Sequence, residues 1–395
     1  MSRIDGLLKQ HCPDGVEYKL LGEVGEFIRG RRFTKNDYVE SGLGCIHYGQ
    51  IYTDYGTAAD STVAFIKPDL RGSLRLARKN DLVIAATGEN IQDVCKAVAW
   101  LGEEEVAVHD DCYIFRHSFD PKFASYLFQS SIFQEQKVKY ANESKVVRIS
   151  GANLSKIKVP VPPLEVQNEI AEILTTMETL ETDLKAELNA ELKARKRQYA
   201  YYYDALLTLP GEGRTKWATL GELAEIGTGS HNTNEGLSVG EYPFFVRSQE
   251  VRRLQAYDFD ETAIITSGDG VGVGKVFHYI EGKYALHQRA YRIHVTDPSL
   301  MPKFYFHYMR STFGDYMERS AVRSSVTSVR RPMLERYPVP VPDLLEQKRI
   351  VDTLDALDAL VNDYSASLPA EITARRQQYT YYRDRLLTFE EKTAA

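Results

Sequence analysis

The sequence has few cysteines, no long apolar run and no strong excess of charge of one sign. Its four cysteines form no Cys-x-x-Cys pair and are widely spaced: Cys12, Cys45, Cys95 and Cys112. This predicts isolated thiols in a reducing compartment rather than a disulfide framework or a zinc site. No apolar run approaches the ~20 residues of a membrane span, and residues 1–18 lack the apolar core of a secretory signal. We expect a cytoplasmic protein with no membrane segment.

The overall charge balance does not point to nucleic acid, but its distribution does. The net charge is −6 at pH 7 and the pI is about 5.9. Lysine and arginine are nevertheless concentrated in segments 137–158 and 310–336. Because local basic patches govern phosphate binding, the whole-chain pI does not exclude a nucleic-acid partner. With 395 residues and 43% hydrophobic content, the chain is expected to fold into two or three domains.

The two halves of the chain repeat each other. Segment 191–209 recurs as 371–389 with eleven of nineteen positions identical, including a shared Gln-Tyr-x-Tyr-Tyr-x-Asp-x-Leu-Leu-Thr. Shorter motifs recur in the same order in both halves: Leu21-Gly-Glu and Leu220-Gly-Glu, Thr87-Gly-Glu and Ser267-Gly-Asp, His109 and His287, and Pro160-Val-Pro and Pro340-Val-Pro. These matches indicate an internal duplication.

Two long helices are predicted from the repeated segments. No proline or glycine occurs from Gln167 to Leu207, and apolar residues follow the three-and-four spacing of a coiled coil. About 40 residues at 1.5 Å each would form a rod of roughly 60 Å. The second copy runs from Ile350 through Ile372 and contains Pro369, where we expect a kink or a restart. One helix from each half should pack against the other.

The remaining parts, 22–158 and 221–338, are rich in β-branched and aromatic runs separated by turn residues, which predicts strands. The clearest runs are 81–85, 112–116, 263–266 and 289–294. Each part also contains one predicted helix, around Phe123–Tyr140 and Lys303–Arg319, so we predict two α+β domains. The predicted boundaries are 1–159 for the first globular domain, 160–210 for the central helix, 211–339 for the second globular domain and 340–395 for the C-terminal helix.

No catalytic motif in the sequence is complete. The glycine-rich run 267–275 has the wrong spacing for a phosphate-binding loop, and Val276 follows its lysine, so we interpret it as a turn between strands. Glu135-Gln-Lys137 and Glu346-Gln-Lys348 match part of a nuclease D…E-x-K pattern, but both fall on predicted helices without an acidic partner. The Pro-Pro pair after Val161 lacks the flanking residues of an adenine methyltransferase motif. The sequence therefore predicts no catalytic residue and no metal ligand.

Residues suited to DNA recognition are abundant in both globular parts. Arginine and lysine read guanine, asparagine and glutamine read adenine, and serine and threonine bind phosphates. The predicted DNA-binding residues of the first part are Arg29, Arg31, Arg32, Tyr48, Gln50, Tyr52, Thr87, Glu89, Asn90, His109, Lys145 and Arg148. Those of the second part are His231, Asn232, Arg247, Gln249, Arg252, Ser267, Asp269, His287, Gln288, Arg289, Arg323, Ser325 and Arg331.

Tyrosines recur in the repeated helix ends and are predicted to bind a partner: Tyr199, Tyr201 and Tyr202, and their equivalents Tyr379, Tyr381 and Tyr382. Successive helix positions are about 100° apart, so a single helix–helix seam cannot bury three aromatics in this arrangement. Tyrosine is enriched at interfaces because it combines a large apolar area with a polar tip. Packing within the chain is the alternative interpretation.

The sequence resembles the specificity (S) subunit of type I restriction–modification systems. The resemblance rests on the segment from Cys12 to Glu23, the Pro-Val-Pro-x-x-x-x-Gln motifs at Pro160 and Pro340, and the Gln-Tyr-x-Tyr-Tyr-x-Asp-x-Leu-Leu endings. The stretch 368–372 also looks like a conserved region of that family. The resemblance covers essentially the whole chain, and it is strong in the helices and weak inside the globular parts.

The resemblance implies two target recognition domains separated by two antiparallel helices that act as a spacer. It implies double-stranded DNA as a ligand, with a bipartite asymmetric site. With the two domains separated by less than the ~60 Å rod, we expect the half-sites to lie about one helical turn apart. The resemblance also implies two methyltransferase (M) subunits and optionally two restriction (R) subunits as partners. The S subunit has no catalysis of its own, so S-adenosylmethionine, Mg²⁺ and ATP would belong to the partner subunits.

Three alternatives remain open at this point. The chain could belong to a methylation-only or non-type-I system, which the absence of a neighbouring R-subunit gene would indicate. It could be a coiled-coil scaffold without sequence-specific DNA binding, which a footprint would reveal. It could also be an enzyme in its own right, which a methylation assay on the isolated chain would test.

Overall fold

The computed structural model of the chain describes residues 3–141, 147–209, 215–320 and 328–392. The chain forms two units. Unit 1 comprises residues 1–187 together with 370–395, and unit 2 comprises residues 188–369. In the described ranges, no helix is long and apolar enough to cross a membrane.

Unit 1 has an α+β fold built on two five-stranded sheets, with strand orders β2-β12-β8-β10-β5 and β3-β6-β4-β11-β7. Its strands are β1 (Tyr18–Leu20), β2 (Gly25–Arg29), β3 (Tyr38–Val39), β4 (Leu43–Ile46), β5 (Ala58–Ala59), β6 (Phe65–Ile66), β7 (Leu76–Ala77), β8 (Leu82–Ala85), β9 (Thr87–Gly88), β10 (Ala97–Trp100), β11 (Val106–Val108), β12 (Cys112–His117), β13 (Val147–Arg148) and β14 (Lys158–Pro160). Its helices are α1 (Arg3–His11), α2 (Leu21–Val24), α3 (Tyr48–Thr53), α4 (Pro121–Gln129), α5 (Ser131–Val138), α6 (Gly151–Leu154) and the first part of α7 (Leu164–Leu207).

Unit 2 has an α+β fold on one six-stranded sheet, of order β16-β21-β19-β20-β17-β18. Its strands are β15 (Lys216–Thr219), β16 (Ala224–Thr228), β17 (Tyr242–Phe245), β18 (Val251–Leu254), β19 (Phe259–Ser267), β20 (Phe277–Leu286), β21 (Ala290–Val295) and β22 (Pro338–Val341). Its helices are α8 (Leu220–Leu223), α9 (Pro302–Ser320), α10 (Arg331–Glu335) and the first part of α11 (Leu344–Leu386). The four strand runs predicted from the sequence fall in β8, β12, β19 and β21.

A two-stranded antiparallel pair joins the entry and exit of each globular fold. β1 pairs with β14 in unit 1, and β15 pairs with β22 in unit 2. A one-turn helix follows the entry strand in each unit and contains the repeated Leu-Gly-Glu. Its glutamate, Glu23 or Glu222, accepts the backbone N–H of Leu20 or Thr219 and so caps the helix. The duplication predicted from the sequence is therefore confirmed.

Each unit contains segments of both long helices. Residues 164–187 of α7 and 370–386 of α11 belong to unit 1, and the remaining segments belong to unit 2. In unit 2, the Tyr199 hydroxyl donates to Asp358, and the Arg195 guanidinium carbon lies 5.6 Å from the Tyr364 ring centroid. The residue number therefore increases along α7 in the direction in which it decreases along α11. The two segments are antiparallel, as predicted.

The helix segments complete the hydrophobic core of each unit. Ile170 and Leu174 of α7 belong to the unit 1 core together with Leu387. Ile350 and Leu354 of α11 belong to the unit 2 core, as Tyr203 and Leu207 of α7 do. Burying one such aliphatic side chain contributes roughly 1.5–3 kcal/mol, so each globular fold depends on its helix segments for stability.

One expectation about the helices is wrong. The helix predicted over 123–140 is divided into α4 and α5, because Ser130 leaves the helical conformation and its hydroxyl accepts the N–H of Phe133 as an N-cap. At Pro369, where the sequence predicts a kink or a restart, α11 does not restart but continues through the residue. The proline removes one hydrogen bond, to the carbonyl of Ser365, and the turns on either side remain intact.

Candidate nucleic-acid interface

In unit 1, predicted DNA-binding residues gather around the turn that joins β11 to β12. His109 of this turn is buried, and its ring centroid lies 4.5 Å from that of His47, next to Tyr48 at the start of α3. The Arg29 Nε donates to the carbonyl oxygen of Asp110 at 2.9 Å. A Cβ on Gly30 would lie 2.2 Å from the carbonyl oxygen of His109, so only glycine allows the arginine loop 29–32 to approach this closely.

The loop that begins at Thr87 lies beside the same turn. The Thr87 hydroxyl is 3.4 Å from Asp111, and Arg148 of β13 pairs with Thr87 in β9. The Tyr52 hydroxyl donates to the carbonyl oxygens of Thr87 at 2.9 Å and of Asp93 at 3.2 Å. Five segments that are far apart along the chain thus meet at one place in unit 1.

A buried lysine beneath this loop has a role that sequence reasoning missed. Lys137 of α5 is fully buried, and its Nζ donates to the carbonyl oxygens of Gln92 and Val94, both at 2.9 Å. Burial lowers the pKa of Lys137 to about 8. This residue belongs to the incomplete nuclease pattern, and its contacts show that it positions the backbone of the loop that carries Glu89 and Asn90.

We expect Lys137 to make unit 1 more stable as the pH rises from 7 to 9. The unfolded chain keeps an ordinary lysine pKa of ~10.4, so above pH 8 the unfolded state binds a proton that the folded state has lost. The cost of burying the charge is fully present below pH 8, and its relief by pH 9 amounts to about 1 kcal/mol. Urea unfolding of the wild type and of Lys137→Met at both pH values measures this gain.

The variant Lys139→Met provides the control for that experiment, because Lys139 is exposed two residues away. It should retain the wild-type pH dependence, whereas Lys137→Met should lose it. An equal pH dependence in Lys137→Met and the wild type would contradict the prediction.

In unit 2, the equivalent turn joins β20 to β21 and again collects predicted residues. The backbones of His231 and His287 form an isolated parallel β-bridge. The Gln288 side-chain amide donates to the Asn232 side-chain oxygen at 2.5 Å. Arg247 and Arg289 both bind Asp269, at 2.8 and 3.0 Å. The glycine-rich run that follows Ser267 is a turn between β19 and β20, as the sequence predicts.

The other predicted residues lie near these turns or outside the described ranges. The Asn90 side-chain oxygen accepts the backbone N–H of Asp93, and the Gln50 side-chain oxygen accepts that of His47 at the start of α3. The Arg252 side chain donates to the carbonyl oxygen of Thr233. Gln249, Glu89, Arg31 and Arg32 are exposed, whereas Thr87, His109, Ser267 and His287 are buried beneath the surface. Arg331 pairs with Glu335 on α10. Lys145, Arg323 and Ser325 lie outside the described residues.

One group of side chains in unit 1 has the composition of a metal site. Candidate ligand atoms of His47, His109 and Asp111 all lie within 4.8 Å of one another. The Nδ1 of His47 accepts the N–H of Gly49 at 3.2 Å, so the ring hydrogen of the neutral imidazole lies on Nε2. Burial, together with nearby His109, lowers the pKa of His47. The arrangement favours a neutral imidazole that donates from Nε2 over a metal ligand.

The predicted partner-binding tyrosines divide into two groups that are the same in both units. Tyr199 and Tyr379 are partly buried. The others are exposed, to 70% for Tyr201, 46% for Tyr202, 58% for Tyr381 and 40% for Tyr382. Each exposed pair packs edge to face, with ring centroids 5.4 and 5.3 Å apart.

The acidic residues of the unit 1 turn were missed by sequence reasoning. Asp110 and Asp111 follow His109 just as Gln288 and Arg289 follow His287. The alignment of the two histidines is the signal that could have identified them.

Comparisons with known proteins agree with this architecture. The family model described as type I restriction modification DNA specificity domain matches residues 13–194 and 215–374. The chain therefore belongs to this family. It is 32% identical over 267 residues to the EcoR124I/EcoR124II type I restriction enzyme specificity subunit of Escherichia coli, which covers 60% of this chain and 65% of that protein, just under two thirds of its length.

Further similarities extend to shorter relatives and to solved structures. A putative type I specificity subunit of Mycoplasma pneumoniae is 29% identical over 242 residues, which cover 58% of this chain and 92% of that protein. The HsdS subunit from Thermoanaerobacter tengcongensis superposes with a TM-score of 0.61 at 16% identity, over 95% of this chain and 97% of that one. A chain from a structure of type I R-M complex assembly and conformational transition gives 0.68 at 16% identity, over 95% and 98%. These structures share the fold.

Proposed function

We propose that the chain is the sequence-specific DNA-binding subunit of a type I restriction–modification complex. It directs the complex to a bipartite, asymmetric double-stranded DNA site for adenine methylation or restriction, and it acts in the cytoplasm. The observation that carries the proposal is the pair of equivalent turns, at His109 and His287, that gather loops of different chemistry in the two units. Two domains of the same fold that recognise different half-sites need different side chains at equivalent positions.

The partners supply the chemistry in this proposal. Two methyltransferase subunits bind the repeated helix ends, and two restriction subunits join optionally. S-adenosylmethionine, Mg²⁺ and ATP act in those subunits, and this chain is non-catalytic. Exposed tyrosine pairs at equivalent positions of the two helices support two equivalent docking sites.

The decisive test is to sequence the methylated adenines of a methylation-free host that carries the chain with its methyltransferase partner. We expect one bipartite motif, which is lost when the chain is omitted. Methylation without a motif would favour the scaffold alternative, and methylation by the isolated chain would favour an independent enzyme. A bipartite motif with no restriction of unmodified phage would assign the chain to a methylation-only system.

Arg148 is expected to bind phosphate, as are Lys145, Arg323 and Arg331. It is exposed on β13, directly beside the Thr87 loop. Arg148→Ala should weaken binding to all DNA sequences and reduce the slope of log K against log salt by about 0.9. Titrations of labelled DNA at several salt concentrations measure the slope.

Lys79→Ala provides a charge-matched control for Arg148→Ala, because Lys79 pairs with Glu103 at the surface of the same unit. Its slope should equal that of the wild type. A relaxed motif with an unchanged slope in Arg148→Ala would instead make Arg148 a base reader.

A further inference from the structure

Asp269 joins two arginines at the surface of unit 2. One carboxylate oxygen accepts Arg247 Nη1 at 2.8 Å, and the other accepts Arg289 Nη1 at 3.0 Å. The Asp269 side chain is 21% exposed, Arg247 is 40% exposed and Arg289 is 63% exposed. The carboxylate therefore lies beneath two guanidinium groups and fixes their direction.

The carboxylate remains ionised in this arrangement. Burial acts against ionisation, but hydrogen bonds from Arg247 and Arg289 outweigh it and lower the pKa of Asp269. The Ser267 hydroxyl donates to the backbone oxygen of Asp269 at 2.8 Å, which also holds the backbone of this loop. Both arginines are thus anchored by a carboxylate on an ordered loop.

His287 holds the backbone of the same turn. Its Nδ1 accepts the backbone N–H of Arg289 at 2.9 Å. Burial, with Arg247 nearby, lowers the pKa of His287, so the ring is neutral and accepts this bond. Arg289 is therefore fixed at its backbone by His287 and at its side chain by Asp269.

Arg289 has donors left for a ligand. Its hydrogen bond to Asp269 uses Nη1, and the edge formed by Nε and Nη2 carries parallel N–H groups. Guanine presents two acceptors, O6 and N7, in the major groove, whereas adenine and cytosine each present an amino donor there and thymine a methyl group. An anchored arginine edge is complementary to guanine.

The equivalent turn of unit 1 has the opposite chemistry. The Asp111 backbone N–H lies 3.3 Å from His109 Nδ1, as the Arg289 N–H lies 2.9 Å from His287 Nδ1. Where unit 2 has Gln288 and Arg289, unit 1 has two aspartates, which can only accept hydrogen bonds when ionised. The same turn thus offers donors in one unit and acceptors in the other.

We propose that unit 2 reads a guanine in its half-site through Arg289, with Asp269 as the positioning residue. Arg247 occupies the second carboxylate oxygen and so fixes the orientation of the carboxylate. This inference rests on the proposed function and adds the base that one half-site contains.

The first experiment determines the methylated motif of the full complex with methyltransferase subunits in cells, for the wild type, Arg289→Ala and Arg289→Lys. We expect a guanine at one position of one half-site, with its preference reduced about 10- to 100-fold in both variants while the other half-site is unchanged. Asp269→Asn should reduce the same preference by a smaller factor. Arg319→Ala, which removes an exposed arginine of α9, should keep the wild-type motif.

The second experiment identifies the contacted atom by measuring binding to DNA in which that guanine is replaced by 7-deazaguanine, which lacks N7. The wild-type complex should bind this DNA about 10-fold more weakly, and Arg289→Ala should show no further loss. Inosine, which keeps O6 and N7, should bind as guanine does. Arg289→Lys retains the charge and replaces Arg289→Ala in this measurement if the alanine variant does not fold.

The outcomes separate the two proposals. An unchanged motif in Arg289→Ala with a reduced salt slope would assign Arg289 to phosphate and overturn the inference. A 7-deazaguanine effect of equal size in the wild type and in Arg289→Ala would overturn it as well. A wild-type complex that methylates without any motif would contradict the proposed function itself.

Discussion

Exchanging residues 22–158 for the equivalent domain of another specificity subunit should change one half of the methylated motif and leave the other half unchanged. The structure favours such an exchange because β1 and β14 pair antiparallel, so that Leu20 lies opposite Lys158 at the entry and exit of the domain. Methylation at the original site should fall by about 10³-fold or more, the usual ratio between specific and non-specific DNA binding. Sequencing of methylated adenines measures both halves at once.

The reciprocal exchange in unit 2, between β15 and β22, is the matched control and should alter only the other half-site. If either exchange changed both half-sites together, the domains would not read DNA independently. An exchanged chain that melts at the wild-type temperature but methylates no motif would also contradict modular recognition.

Replacing Tyr201 and Tyr381 by alanine should strongly weaken the binding of the methyltransferase subunits. These residues occupy equivalent positions of the repeat and are 70% and 58% exposed, so their removal should not disturb either core. An interface tyrosine of this kind contributes about 2 kcal/mol, which predicts roughly 30-fold weaker binding at each site. Size-exclusion chromatography with the methyltransferase gives the stoichiometry, and calorimetry gives the affinity.

Tyr201→Phe with Tyr381→Phe is the control, since it keeps the aromatic area and removes only the hydroxyl groups. This variant should retain most of the affinity. Thermal melting of both variants should match the wild type. A folded alanine variant that binds two methyltransferase subunits with undiminished affinity would remove these tyrosines from the interface.

The fold was largely predictable from the sequence because its signals are local or repeated. The spacing of Ile170 and Leu174 predicts a buried helix face, and both residues lie in the core of unit 1. The break at Ser130 was not predicted, because a serine stops a helix only when its hydroxyl takes a capping role. At Pro369 the sequence left a kink and a restart open, and the helix does not restart because the turns on either side outweigh the local cost of proline.

The candidate site was predictable in composition but not in arrangement. Clusters at Arg29, Thr87 and His109 were identified from residue type, and the fold brings them together through sheet pairing across long stretches of chain. Lys137 could not be identified in this way, because its partners are backbone carbonyl groups about 45 residues away. Hydrogen bonds to backbone leave no residue-type signal in the sequence.

The two units become complete at different times during synthesis of the chain. Unit 2 is one continuous stretch, 188–369, whereas unit 1 also needs residues 370–395. Its N-terminal Val16 pairs with Glu390 and Lys392 through backbone hydrogen bonds, and Leu387 fills its core. At ~5–20 residues per second, unit 1 waits roughly 10–40 s after residue 187 for these last partners. The domain whose synthesis begins first is therefore the last to be completed, and until then the part of its core that Leu387 covers remains exposed.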